Sequence, residues 1–230
     1  MRTALITGTS SGIGLAIAQK LLENGWRVIG ISRSDTPISH DNFIDCKTDL
    51  IKLSDTESLI KQLSREYSFD LLVNNAGVGF YGLHEELNSA KIHRMTVTNI
   101  EVPLLITGIL MRQLKHNNGI IANISSVTAH KTNPHGAAYG ATKAALSSFG
   151  ASIFDEARKY GIRVITIEPD MTDTLLYRNA DFTVSDEEGC HLTPDDVADA
   201  LMYGIQSGCI THIKLQPQYH RIRRKEPSHD

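Results

Sequence analysis

The strongest constraint on this chain is the order in which two hydrophobic rhythms alternate. Short apolar runs with strand character are followed, again and again, by longer stretches with helical apolar spacing. Residues 4–7, 27–32, 42–46, 70–74, 120–124, 162–167 and 210–215 read as strands. Residues 13–22, 54–67, 89–116 and 136–160 read as helices, and another opens at Pro194 with Thr193 as its cap. Ser54 and Glu57 have capping-box spacing. Pro103 falls inside the long 89–116 pattern and is read as a kink, with Asn117, Asn118 and Gly119 as the stop. The strand runs are apolar on both faces, as in a parallel sheet covered by helices on either side. Right-handed crossovers then give a doubly wound α/β fold, a predominantly parallel sheet of about seven strands.

The bulk properties narrow the function classes. A chain of 230 residues suits one large α/β domain, assigned here to residues 1–216 with a tail at 217–230. The tail carries Arg221, Arg223, Arg224 and Lys225, read as a solvated, frayed end. A net charge of -3 gives no general attraction to nucleic acid or to an anionic membrane. No apolar run approaches the roughly 20 residues that span a bilayer. Cys46, Cys190 and Cys209 lack CxxC spacing and the ten histidines lack an HExxH pattern, so neither a disulfide framework nor a metal is expected. The first residues lead straight into a strand without signal-peptide shape, which makes a cytoplasmic location the expectation. Residues 172–191 are irregular and polar.

The first strand runs into Thr7-Gly8-Thr9-Ser10-Ser11-Gly12-Ile13-Gly14 and then a helix. Glycines allow a sharp turn and close approach of backbone to a bulky anion. The helix N-terminus adds free N–H groups and a partial positive charge. Gly8, Ser10, Ser11, Gly12, Ile13 and Gly14 are therefore expected to cradle a dinucleotide pyrophosphate, although the spacing is GxxxGxG rather than GxGxxG. The end of the second strand selects the cofactor. An acid there would hold the adenosine ribose hydroxyls and repel a 2′-phosphate. Ser32, Arg33 and Ser34 stand there instead, so NADP(H) is favoured over NAD(H).

Tyr139 and Lys143 are four residues apart at the start of a helix and so project from one face. A free phenol, with a pKa of about 10, is a poor acid or base at neutral pH. A nearby ammonium is expected to lower it into a useful range. Ser125 and Ser126 follow the fifth strand, at the sheet edge where open α/β folds bind ligands, and Asn74-Asn75-Ala76-Gly77 follows the fourth.

TGxxxGIG at 7–14, NNAG at 74–77, a serine at 126 and YxxxK at 139–143, in that order, resemble the short-chain dehydrogenase/reductase family in its short, single-domain form. The resemblance spans roughly residues 2–215 and implies a Rossmann-type fold and hydride transfer between NADP(H) and a carbonyl/alcohol substrate. It implies Tyr139 as acid/base and Ser126, thirteen residues earlier, as the group orienting the carbonyl. Lys143 would also hold the nicotinamide ribose, Tyr139 would join it among the cofactor contacts, and Asn99 would support a proton path to the lysine. Asp49 and Leu50 correspond to the adenine contact, Asn75, Ala76 and Gly77 to the cofactor wall, and Pro169, Thr172 and Thr174 to the nicotinamide loop. The family's glycine after Pro169 is Asp170 here, which adds a charge and a costlier turn. A homodimer or homotetramer is a further implication. The alternative from another class is a non-catalytic NADP(H)-binding redox sensor that regulates a partner. The retained Asn99, Ser126, Tyr139 and Lys143 weigh against it, because a sensor has no use for an activated phenol.

Overall fold

Seven of the apolar runs assemble into one sheet. The computed structural model describes residues 1–219 and 221–224. The strands are β1 (Thr3–Thr7), β2 (Arg27–Ser32), β3 (Phe43–Lys47), β4 (Leu71–Asn74), β5 (Ile120–Ile124), β6 (Arg163–Pro169), β7 (Phe182–Val184), β8 (His212–Leu215) and β9 (Ile222–Arg224). The main sheet has the order β3-β2-β1-β4-β5-β6-β8, and every pairing in it is parallel. The order reverses between β1 and β4, so the strand ends on either side of that point open into a crevice. The helices are α1 (Gly12–Glu23), α2 (Leu53–Glu66), α3 (Ser89–Thr96), α4 (Val102–Asn117), α5 (Ala137–Ala157) and α6 (Pro194–Ser207). On one face α1 and α6 bury Ile17, Leu21, Val197 and Leu201 against Ile6, Val73 and Ile165. On the other, Ile60, Ile106, Leu110 and Leu114 from α2 and α4 cover Leu5, Ile29, Leu72 and Ile121. The Rossmann-type layering expected from the alternation is the observed one. No described helix is long and apolar enough to cross a membrane.

Three local expectations are corrected. Helix α2 starts before Ser54: the Lys52 amide bonds the Asp49 carbonyl at 2.9 Å, and Lys52 caps without a side-chain bond. No capping box forms, because Ser54 already lies inside the first turn and Glu57 pairs with Lys61 at 2.6 Å. The 89–116 pattern is not one helix. Pro103 has no N–H to offer the Asn99 carbonyl, and the chain widens into a π turn over Val97–Glu101, closed by the Val102 amide on the Val97 carbonyl. The tail is not frayed at Ile222–Arg224: that strand pairs antiparallel with β7, while Arg221 reaches Glu187 at 2.5 Å and Arg223 pairs with Asp186. Lys225 lies outside the described residues.

Candidate active site

A cleft of about 780 Å³ runs along the carboxyl edge of the sheet. Gly8, Ser10, Ser11, Gly12 and Ile13 line it from the first turn, and Ser32, Arg33, Ser34, Asp49 and Leu50 from the next two strand ends. Asn75, Ala76, Gly77, Ser126, Tyr139, Lys143, Pro169, Thr172 and Thr174 complete the same cleft. Two predicted residues do not face it. Gly14 sits behind the turn, packed on the Gly8 carbonyl, and Asn99 is fully buried.

The glycine turn is held from behind by the NNAG segment. Thr7 Oγ1 accepts the amides of Asn75 (3.1 Å) and Ala76 (3.0 Å), and Asn75 Nδ2 donates to the carbonyls of Thr7 (2.9 Å) and Gly8 (3.2 Å). Gly8 itself adopts φ 80, in the left-handed region open to glycine. At the start of α1, Ser11 caps without a side-chain bond and no acid occupies the first turn. The leading amides and the positive end of the helix dipole are thus left for an anion, as a bound pyrophosphate requires.

At the end of β2, Arg33 is exposed and lines the cleft. The nearest following acid, Asp35, is ion-paired with Lys47 on β3, which holds its carboxyl below the usual range. The Ser32 hydroxyl turns back to the Ser34 carbonyl at 2.5 Å, so it shapes this turn from within. Asp49 lies farther along the cleft, its Oδ1 3.5 Å from the Ile51 amide.

Helix α5 delivers Tyr139 and Lys143, both almost wholly buried, to the centre of the cleft. Ser126 caps a short 3₁₀ turn over Val127–Ala129, accepts the Thr128 amide at 3.2 Å and the Thr128 hydroxyl at 3.0 Å, and lies close enough to the Tyr139 phenol to ease the rise in its pKa. Lys143 Nζ donates to the Ile124 carbonyl at 2.8 Å and lies 5.8 Å from the Tyr139 ring centroid. A Cβ on Gly77 would come within 3.4 Å of that ammonium, so glycine keeps the space beside it open. Asn99 secures the opposite wall: Oδ1 accepts the Val78 amide at 2.9 Å, and Nδ2 donates to the Val78 carbonyl and to Thr142 Oγ1, both at 2.9 Å.

The electrostatic expectation for the phenol is overturned. Burial raises the Tyr139 pKa above its ordinary value, neighbouring Tyr177 adds to the rise, and Ser126 opposes it. The Lys143 ammonium, 5.8 Å from the ring centroid, does not offset that burial. Burial brings Lys143 itself down to about 8. A phenol kept neutral is a proton donor, and a lysine near 8 is a cation that changes charge close to physiological pH.

Sequence reasoning missed an aromatic cluster packed on Tyr139, of which Tyr177 lines the cleft. Tyr81 lies 5.6 Å from the Tyr139 ring, 6.0 Å from Tyr177 and 5.2 Å from Phe182. Strand β7, which carries Phe182, is the one paired with the tail strand β9. The aromatic residues of the irregular segment were the available signal. The costlier turn expected at Asp170 is absent. Its φ is ordinary, and its carboxyl accepts the Met171 amide at 2.9 Å and Gln216 Nε2 at 3.3 Å.

Fold and site together define a dinucleotide-type α/β cleft with Tyr139 and Lys143 buried at its centre. The family profile described as short chain dehydrogenase matches residues 2–183. The chain is 33% identical over 215 residues to serine 3-dehydrogenase of Agrobacterium fabrum, covering 87% of this chain and 86% of that protein. Among solved structures, 3-ketoacyl-(acyl-carrier-protein) reductase from Brucella melitensis, complexed with NADH, superposes with a TM-score of 0.84 at 26% identity over 93% of this chain and 96% of that one. A short-chain dehydrogenase from Sphingobium yanoikuyae, in complex with NADPH, shares the fold with a TM-score of 0.82 at 22% identity, over 93% and 87% of the two chains. The chain belongs to the short-chain dehydrogenase family and is an oxidoreductase of that class.

Proposed function

We propose that this enzyme moves a hydride between NADP(H), in preference to NAD(H), and a carbonyl/alcohol pair, with Tyr139 as the proton-transfer group. The observation that carries the reading is the meeting of Ser126, Tyr139 and Lys143 in one cleft with an anion-ready glycine turn. The dinucleotide, when bound, supplies or accepts the hydride at its nicotinamide ring. The chain's residues do the rest. The amides at the start of α1 hold the pyrophosphate. Arg33 pairs with the 2′-phosphate through charge-assisted hydrogen bonds. Lys143 would hold the nicotinamide ribose, and Thr172 and Thr174 would hold the carboxamide. Ser126 donates to the carbonyl oxygen and shares the charge that develops there. Tyr139 Oη gives that oxygen its proton. A phenol held neutral by burial suits this step, and reduction is the direction expected if NADP(H) is the cofactor.

The test is a fluorescence titration of NADPH and NADH, followed by NADPH consumption over a panel of aldehydes and ketones. Arg33→Ala is expected to weaken NADPH binding by about 2 kcal/mol, roughly thirtyfold, and to leave NADH binding unchanged. Equal affinities for the two dinucleotides in the unmutated protein would defeat the NADP(H) assignment.

The burial of Lys143 gives a pH prediction. Its folded pKa of about 8 lies below the ordinary 10.5. The buried ammonium therefore costs stability below pH 8, and the cost is relieved as pH rises from about 8 towards 10.5. The ribose contact uses the ammonium, so dinucleotide affinity is expected to hold steady from pH 7 to about 8 and to fall above that. An affinity that stays flat to pH 10 would remove Lys143 from the binding site.

A further inference from the structure

Outside the reacting groups, the least expected buried polar residue is Glu168, an acid inside the apolar run of β6 with a side chain 1% exposed. A buried carboxyl of this kind is kept only with partners, and its partners lie on three different segments. Ser147 Oγ, on α5 one turn beyond Lys143, is 2.8 Å from Glu168 Oε1. His130 Nε2, four residues past Ser126, is 2.8 Å from the same oxygen, and His212 Nε2 on β8 is 3.0 Å from Oε2. Glu168 is also the residue before Pro169, where the loop lining the cleft begins.

The connection to Lys143 continues inward. Ser147 Oγ is 2.7 Å from Ser125 Oγ, and Ser125 donates to the Lys143 carbonyl at 2.9 Å. Lys143 is thereby gripped at both ends by consecutive residues of one strand end: its ammonium by the Ile124 carbonyl, its backbone by Ser125. Helix α5 lies close on the sheet at this level, since a Cβ on Gly150 would stand 2.5 Å from Thr166 Oγ1 and 3.0 Å from Asn123 Nδ2. In so tight a seat, small changes in the polar spacers shift the helix and the lysine with it.

We infer that Glu168 is a positioning residue: through Ser147 and Ser125 it sets the height of Lys143 over the sheet, and through His130 it ties the Ser126 turn to the same anchor. It is not among the residues that line the cleft. The two imidazoles are 61% and 51% exposed, so they close the outer end of the chain against water while Glu168 stays inside. The inference rests on the reading of Lys143 as a dinucleotide contact.

The test is NADPH titration by fluorescence, with thermal melting in parallel, on the full-length protein and on Glu168→Ala, Glu168→Gln, Ser147→Ala and the Glu168→Ala/Ser147→Ala double variant. Glu168→Ala and Ser147→Ala are each expected to weaken NADPH about tenfold, roughly the value of one buried hydrogen bond. The double variant is expected to be no worse than the weaker single one, because both act through one chain. Glu168→Gln, which keeps a polar group within 2.8 Å of Ser147 Oγ, restores affinity to within about threefold of the unmutated protein. Three results would overturn the inference: unchanged affinity in Glu168→Ala, multiplying losses in the double variant, or Glu168→Gln as weak as Glu168→Ala. Should Glu168→Ala fail to fold, Ser147→Ala against Glu168→Gln decides alone: the expected result is weakening in the first and near-normal binding in the second. An unmutated protein that binds neither NADPH nor NADH overturns the proposed function itself, and the positioning role with it.

Discussion

Tyr139→Phe is expected to bind NADPH as tightly as the unmutated protein and to lose carbonyl reduction by roughly a thousandfold, the usual worth of a positioned general acid. The ring stays, so its packing on Tyr81 at 5.6 Å stays, and only the hydroxyl near Ser126 is removed. Affinity and turnover therefore separate in this variant, whereas damage to the fold would lower both. The direction of the pKa shift adds a second readout. Burial holds the phenol protonated, so reduction is expected to be nearly independent of pH through neutrality. Alcohol oxidation needs the phenolate, so at saturating dinucleotide it is expected to rise with pH well past 9 in the unmutated protein. A Tyr139→Phe protein that still reduces carbonyls within tenfold of normal would falsify the assignment of the proton to this residue.

The parts of the molecule legible in the sequence were those written in local periodicity and in glycine. The seven sheet strands announced themselves as apolar runs, and the turn after β1 as closely spaced glycines, because both signals depend on neighbours in the chain. Tyr139 and Lys143 followed from a helix face, whereas the strand end offered Ser125 and Ser126 alike and the family resemblance chose Ser126. What stayed hidden depends on distant partners. Glu168 bonds His130 and His212, which lie 38 and 44 positions away in the sequence, and only the presence of an acid inside the β6 run hinted at them. The Tyr139 pKa was misjudged because residue spacing shows the nearby cation and hides the desolvation, which dominates in the folded chain. Asn99 was expected among the catalytic groups. That role came from the family resemblance, and the bonds its amide makes, to the Val78 backbone and Thr142, join segments far apart in the sequence. The tail strand β9 was unreadable for another reason. Its three residues gain order from β7 and from two acids more than thirty positions away, while the local composition reads as solvated.

Gly14→Ala carries the largest expected cost to the fold. Gly14 does not lie at a positive φ, so backbone freedom is not what glycine supplies there. It supplies space. A Cβ would stand 2.1 Å from the Gly8 carbonyl oxygen and 2.4 Å from Asn75 Nδ2. Neither neighbour can retreat cheaply. The Gly8 oxygen is backbone of the turn, and the Asn75 amide is committed to the carbonyls of Thr7 and Gly8. One methyl group must therefore pry α1 off β1 or break the clamp that shapes the turn. Either outcome is expected to cost about 3 kcal/mol or more and to abolish measurable dinucleotide binding. Gly108→Ala is the matched control. It sits exposed inside α4 with nothing within 4 Å of its would-be Cβ. There the same change is expected to stabilise the protein by about 0.5–1 kcal/mol through helix propensity alone. Thermal melts of the two variants, read beside NADPH titrations, compare a glycine needed for close approach with one that is not. A Gly14→Ala protein that melts like the unmutated one and still binds NADPH would mean that helix and turn are free to part, and that the glycine turn is not the rigid cradle assigned to it.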